Sequence, residues 1–154
     1  MIKLSIVAVG GLKNQEFRAL ALEYEKRIAP FARLEVIEAA PVPFGRGDKE
    51  RAKKLENEAI GKVLHNFPKD SIYLLAEGGK QYDSLGFSSF LQRHDGGELV
   101  LALGGALGWD KEFAKSYRLL SLSALTFPHE LARVILFEQI YRGLSIAAGK
   151  EYHY

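Results

Sequence analysis

Five short, mostly apolar runs, each followed by residues at helical spacing, constrain this chain more than any other feature. Residues 2–9 read Ile-Lys-Leu-Ser-Ile-Val-Ala-Val, and residues 99–103 read Leu-Val-Leu-Ala-Leu. Three further runs lie at 34–38, 71–75 and 118–122. Nearly continuous apolar strands belong to sheets covered on both faces, and so to parallel sheets. Between them, Phe17, Leu20, Tyr24 and Ile28 recur at helical spacing after Asn14, a good N-cap, and Pro30 stops that helix. A second helix is expected over 48–65, with Ala52, Leu55, Ala59, Val63 and Leu64 turned inward. Shorter helices are expected over 85–93 and 109–117, and the longest over 128–148, with Pro128 in its favoured first turn. The fold class is therefore α/β, a single domain with a parallel-type sheet and helices on both faces.

Two points of punctuation stand out. The loop at 40–47 carries Pro41, Pro43, Gly45 and Gly47, so it cannot be regular structure and is the expected mobile segment. The fourth strand breaks abruptly into Gly104-Gly105-Ala106-Leu107-Gly108, and the fifth runs into Ser123-Ala124-Leu125-Thr126-Phe127. Strands that end in small residues bring backbone against a ligand in α/β proteins. A tightly packed strand-to-helix turn produces the same pattern, so both readings stay open at this point.

Composition narrows the function classes. A chain of 154 residues is one domain long and can bury a real core. It has no apolar run long enough to span a membrane, and its first ten residues read as a buried strand rather than a secretory leader. With no cysteine, disulfides, thiolate metal sites and cysteine nucleophiles are excluded, which fits a cytoplasmic protein. The four histidines are isolated from one another and from carboxylates at ligand spacing, so no metal site is expected. The net charge of +2 is modest, but Arg46, Lys49, Arg51, Lys53 and Lys54 fall close together. They make either a solvated helix face, helped by Glu50 and Glu56, or a phosphate-contacting patch.

The glycine turn at 104–108 has neither dinucleotide-fingerprint spacing nor the Lys-Ser/Thr of a P-loop. The helix after it opens with Asp110, so a neutral or cationic ligand held by backbone groups suits it better than a polyphosphate. No serine-hydrolase elbow exists, and Ser123 has no identifiable base. The last helix, by contrast, is apolar nearly all round, with Arg133, Glu138, Gln139 and Arg142 as a narrow wet face. Such a helix is buried on two sides. The sheet supplies one, and a second subunit is expected on the other; a deep single-chain core is the alternative. The chain stops on Tyr152-His153-Tyr154, an aromatic tail that suggests docking into a base, a cofactor or a partner.

Several of these segments together resemble one family. Leu-Gly-Gly-Ala-Leu-Gly at 103–108, Leu-Ser-Ala-Leu-Thr-Phe-Pro-His at 122–129, Arg133, Glu138-Gln139-x-Tyr141-Arg142 and Tyr152-His153 closely resemble the bacterial 23S rRNA pseudouridine N3-methyltransferases of the SPOUT class. The Lys3-Leu4-x-Ile6-x-Ala8-Val9-Gly10 start matches as well, so the resemblance covers the whole chain. It implies a deep C-terminal trefoil knot over about 99–150, an exception to the rule that chains avoid threading. It also implies a homodimer, no membrane association, and S-adenosylmethionine as methyl donor to N3 of a pseudouridine on assembled ribosomes. By position, the cofactor contacts would be Leu75, Gly104, Gly105, Leu122, Ser123, Ala124, Leu125, Thr126 and Phe127. A side chain at Gly105 is expected to occupy the space that the adenosyl group needs. His153 would orient or deprotonate the base and Tyr152 would position it, supplied from the tail of the second copy. Family members commonly carry a basic residue after the Tyr-His pair; Tyr154 stands there instead, and Arg142 or Lys150 is the candidate replacement. Two other readings compete: a non-enzymatic ribosome-binding factor using the Arg46–Lys54 patch, and a Rossmann-like enzyme for a small nucleotide metabolite.

Overall fold

The computed structural model describes residues 1–152. The chain alternates strand and helix: β1 (Ile2–Val9), α1 (Gln15–Ile28), β2 (Ala32–Ala39), α2 (Lys49–Leu64), β3 (Ile72–Gln81), α3 (Ser84–Gln92), β4 (Glu98–Leu103), α4 (Lys111–Ala114), β5 (Arg118–Ser121) and α5 (His129–Ala147). All pairings in the five-stranded sheet are parallel, in the order β2-β1-β4-β3-β5. The expected fold class is the observed one.

Strand alternation divides the core into two layers. In β1, Ile2, Leu4, Ile6 and Ala8 point to the face covered by α1, α3 and α5, while Val7 and Val9 point toward α2 and α4. In β4, Leu99, Leu101 and Leu103 take the first face, and Val100 and Ala102 the second. Asn14 caps α1 as expected, its Oδ1 accepting from the Phe17 amide at 2.9 Å.

Four expectations are corrected. First, β3 does not stop at Leu75. Both Leu75 and Lys80 lie opposite Leu120 of β5, so residues 76–79 leave the ladder and return to it. Gly79 makes the return possible: a Cβ there would sit 2.6 Å from the Leu120 nitrogen and 2.7 Å from the Leu119 carbonyl carbon. Second, α4 is only a single turn, shorter than the expected 109–117. Third, the inner stripe of α2 is Ala52, Glu56, Asn57, Ile60, Gly61 and Leu64. Leu55 is exposed, because the helix is rotated to bury two polar side chains that the apolar pattern hides.

The fourth correction concerns α5. Its two sides are filled largely within the chain, since it packs against α1 and α3 over the sheet. At the α3 contact, Gly143 lets the helices meet: its carbonyl accepts from the Ser88 hydroxyl at 2.8 Å, and a Cβ would lie 2.7 Å from Leu91 Cδ1. Tyr141 stacks among Tyr24, Phe31 and Tyr152 of its own chain, so it does not report on a partner. Leu131, Ile135 and Ile146 remain half-buried on the outer side.

Candidate functional site

The carboxyl ends of β4 and β5 and the middle of β3, where it leaves its ladder, converge on one cavity of about 700 Å³. Ligands of parallel sheets sit at this edge, and the size falls within the usual range for small-molecule sites. Three segments form the walls: Leu75 to Glu77 where β3 leaves its ladder, Leu103 to Trp109 after β4, and Leu122 to His129 after β5. Ala132, one turn into α5, closes the floor.

The glycine turn owes its shape to α2. Asn57, nearly fully buried, donates through Nδ2 to the Gly108 carbonyl at 3.3 Å and accepts at Oδ1 from the Asp110 amide at 2.8 Å. Its Nδ2 also reaches the Lys53 carbonyl within α2. Within the turn, the Gly108 amide donates to the Gly105 carbonyl at 3.0 Å, and Gly108 adopts a φ of +72°, which glycine tolerates best. Beneath it, buried Glu56 accepts from the Val42 amide at 3.1 Å, tying the 40–47 loop to the same scaffold. A Cβ on Gly105 would lie 3.1 Å from Glu56 Oε1 and 3.3 Å from Val9. A side chain at this cavity-lining position would therefore also press on the packing under the turn.

Two further ties hold the walls. The indole Nε1–H of Trp109 donates to the Leu75 carbonyl at 2.8 Å, joining the second wall to the first. In the third wall, the Ser123 hydroxyl accepts from the Leu125 amide at 3.0 Å, and the Ser121 hydroxyl donates to the Ser123 carbonyl at 2.9 Å. The serines thus shape their own loop. Leu125, which lines the cavity, stands 72% exposed among the described residues.

At the base of α5, Glu130 accepts from the amides of Lys13 and Asn14 at 2.7 and 3.1 Å. Arg133 is buried, not on a wet face as expected: it donates to the Gly10 carbonyl at 2.5 Å and pairs with Glu38 at 3.2 Å. These bonds fix the β1–α1 turn beside the site. Burial pushes the neighbouring Glu25 carboxyl up, against the pull of Arg133, and Glu38 adds to the rise.

Of the nine expected cofactor contacts, eight line the cavity: Leu75, Gly104, Gly105, Leu122, Ser123, Leu125, Thr126 and Phe127. Ala124 lies between two of them and is exposed, away from the wall. The sequence reading missed Trp109, Glu56 and Asn57. The first stood beside the glycine motif as a usable signal; the other two looked like solvent-facing polar residues.

Two of the expected catalytic residues, Tyr152 and Arg142, are not among those that line the cavity. Arg142 sits 4.9 Å from the Tyr152 ring centroid and is held by Glu138, at 2.6 Å through Nη2 and 3.0 Å through Nε. Tyr152 packs on Tyr141 with centroids 4.6 Å apart; its hydroxyl lies 3.5 Å from the Tyr24 hydroxyl and donates to Glu138 Oε1 at 3.4 Å. Burial first, then these two neighbours, push the Tyr152 phenol well above its ordinary range. His129 on the cavity wall and Arg142 are thirteen residues apart on one helix, about 20 Å along its axis. Glu138 of the tail cluster is six residues from Ala132 of the cavity, about 9 Å along the same helix, so the cluster lies further along α5 than the cavity wall. His153 lies outside the described residues.

The cavity wall carries Glu77 and His129 but no lysine or arginine among the described residues. It therefore suits a neutral or cationic ligand rather than a polyphosphate. Among the described residues, no group of three histidine, aspartate or glutamate side chains could hold a metal, and no helix is long and apolar enough to cross a membrane. Arg46, Lys49, Arg51 and Lys54 are exposed around the start of α2, and Lys53 pairs with Glu50 at 3.1 Å.

Comparisons with known proteins agree with this geometry. A family model described as predicted SPOUT methyltransferase matches residues 2–153. A curated relative from Gloeobacter violaceus, named ribosomal RNA large subunit methyltransferase H, is 36% identical over 154 residues, covering 99% of each chain. A relative of the same name from Lactobacillus helveticus is 35% identical over 160 residues, again covering 99% of each. Among solved structures, a probable methylase family protein from Haemophilus influenzae aligns with a TM-score of 0.55 at 8% identity, covering 99% of this chain and 70% of that one. A probable rRNA-methyltransferase from Porphyromonas gingivalis aligns with a TM-score of 0.50 at 15% identity, covering 93% and 68%. At these identities the two structures speak for the fold alone.

Proposed function

The chain belongs to the SPOUT methyltransferase family, and from that premise we propose that it methylates N3 of a pseudouridine in the 23S rRNA of assembled ribosomes, using S-adenosylmethionine. One observation carries this reading: the stretch where β3 leaves its ladder and the loops after β4 and β5 line one cavity free of basic side chains among the described residues. The relatives named ribosomal RNA large subunit methyltransferase H support the substrate class. The two competing readings are less favoured, since a polyphosphate-bearing metabolite would call for cations in the wall, and the relatives named as methyltransferases speak against a mere binding factor.

The residues fit the cofactor. Backbone at Leu75, Gly104 and Gly105 and the loop from Leu122 to Phe127 would hold it, with Ala124 shaping that loop from outside the wall. Leu122, Leu125 and Phe127 give apolar cover, and the Glu77 carboxylate at the rim complements a positive charge. When bound, S-adenosylmethionine supplies an activated methyl group on a sulfonium. The protein's remaining work is alignment and favouring the deprotonated ring nitrogen. Tyr152, held protonated, cannot serve as a base; it donates a hydrogen bond or positions the ring. Arg142, fixed by Glu138, offers a cation to the substrate, and His153 is the proposed base or orienting group.

Arg142 lies ten residues along α5 from Ala132 on the cavity floor, about 15 Å of helix, and in this reading the tail of one copy serves the cavity of another. The active form is then a homodimer, with Leu131, Ile135 and Ile146 of α5 at its interface. Residues 99–150 form the trefoil knot that ties the cofactor loops together, and the protein works in the cytoplasm, where ribosomes are. The exposed Arg46, Lys49, Arg51 and Lys54 contact RNA phosphates. Calorimetry tests the reading: S-adenosylmethionine should bind once per chain, and ATP and NAD should not. A folded protein that ignores S-adenosylmethionine, or prefers another nucleotide, contradicts it.

A further inference from the structure

A second cavity, of about 550 Å³, opens at the opposite end of the sheet, between the end of α2, the start of β3 and α4. Its walls are aromatic: Phe67, Phe113 and Tyr117, all half-buried. The Phe113 ring is seated against Gly61 of α2, where a Cβ would lie 3.1 Å from its Cε2, so the wall is built by the fold rather than left by chance. Phe113 and Tyr117 stand 5.2 Å apart with their rings tilted by 42°. Burial pushes the Tyr117 phenol up, so that ring stays neutral. Around the rim are Lys62, His65 and Lys69, all exposed, against a single acid, Glu58.

Trp109 already stacks on Phe113, so Tyr117 and Phe67 are the rings that would take an unstacked base, with the rim cations taking its phosphates. Position strengthens the case. α2 is 16 residues long, about 24 Å, and joins the basic cluster at its start to this cavity at its end. One helix therefore presents cations at both ends, one set beside the cofactor cavity and one set here.

We propose that this second cavity is an RNA-binding site that takes one unstacked nucleotide of the ribosomal substrate, remote from the methylated base. It rests on the reading of the chain as an rRNA methyltransferase. The site anchors the enzyme on the large subunit and adds affinity; it takes no part in methyl transfer.

The test uses Lys62→Glu/Lys69→Glu and, separately, Tyr117→Leu in the full chain. Binding to purified large ribosomal subunits should weaken about tenfold in the double variant, and its slope against log salt should fall by about 1.5. Tyr117→Leu should weaken binding of a hexauridylate probe several-fold. Calorimetric affinity for S-adenosylmethionine should be unchanged in both. A control with the same change of charge, Lys26→Glu/Arg93→Glu, on α1 and at the end of α3 over the other face of the sheet, should lose much less. Equal losses in the control and the rim variant would reduce the effect to net charge and overturn the proposal. So would undiminished subunit binding by the rim variant, or an altered molecular mass in light scattering, which would make the cavity a contact between copies. If Tyr117→Leu fails to fold, the surface lysines alone decide. Methylation of large subunits by the wild type separates the two readings: if it occurs while both variants bind normally, only this inference fails, and if the wild type neither binds nor methylates, both do.

Discussion

The Trp109 indole N–H reaches the Leu75 carbonyl at 2.8 Å and so ties the glycine turn after β4 to the point where β3 leaves its ladder. Two walls of the cofactor cavity are thereby held at a fixed spacing by one side chain. The ring's other role is packing, since it stacks on Phe113 with centroids 5.7 Å apart and an interplanar angle of 16°.

Trp109→Phe keeps the stack and removes the donor. The loss of one such hydrogen bond costs about 1 kcal/mol, enough to loosen the wall without unfolding the domain. Affinity for S-adenosylmethionine should fall about fivefold by calorimetry, with only a small drop in melting temperature. Unchanged affinity would mean that the indole bond does not set the cavity's shape.

Gly79→Ala should be among the most damaging single-methyl changes in the chain. The added carbon would press on the β5 backbone at Leu119 and Leu120, and backbone cannot step aside as a flexible side chain can. A loss of about 3 kcal/mol or more in urea unfolding is expected, on the scale of severe overpacking. A stability within about 0.5 kcal/mol of wild type would show that β3 need not return to β5 at this residue.

Glu25 gives a pH dependence with a defined sign. Its carboxyl is held above the ordinary 4.5 by burial. The folded state therefore binds this proton more tightly than the unfolded chain does. The stability that results is complete below pH 4.5 and is lost as pH rises through the higher folded value. Glu25→Gln stays neutral throughout, so its stability relative to wild type should improve from pH 4 to pH 7, by about 0.5 kcal/mol after solvent screening. A variant that becomes relatively less stable at pH 7 would show that attraction to Arg133 outweighs burial.

Much of the site was legible because its signals are local. Strands that run into Gly104-Gly105 and Ser123-Ala124 announce where backbone is exposed, and the structure brings those ends together at one cavity. The parallel sheet was legible from unbroken apolar runs. What escaped is non-local. Glu56, Asn57 and Arg133 are polar residues on apolar helix faces, and only their distant partners at Val42, Gly108, Asp110, Gly10 and Glu38 explain their burial. The second half of β3 escaped because Ala76-Glu77-Gly78-Gly79 reads as a strand end, whereas Gly79 serves a close approach to a strand some forty residues later. Part of the apolarity of α5 is taken up by α1 and α3 of the same chain, a share that the sequence pattern does not separate from a partner surface.

Removing residues 152–154 separates packing from catalysis. Tyr152 touches Tyr24, Tyr141, Glu138 and Arg142, so a small loss of melting temperature is expected. Cofactor affinity should survive, because the cavity is built from other residues. Methyl transfer to large subunits should fall by about two orders of magnitude or more, the usual range for losing a positioned proton-transfer group. Mixing the truncated chain with a full-length chain carrying a disabled cavity should restore part of the activity if the tail acts between copies. Near-normal turnover by the truncated chain alone would leave His129 and Arg142 as the remaining candidates.

The most direct measurement is methyl incorporation. Large ribosomal subunits lacking the modification are incubated with the protein and S-adenosylmethionine labelled in its methyl group, and the purified rRNA is digested and resolved by mass spectrometry. The account predicts about one methyl group per subunit, on a pseudouridine at N3, with none on ribosomal protein. Label found only in protein, label on another nucleotide, or no transfer by a folded protein that binds S-adenosylmethionine would contradict it.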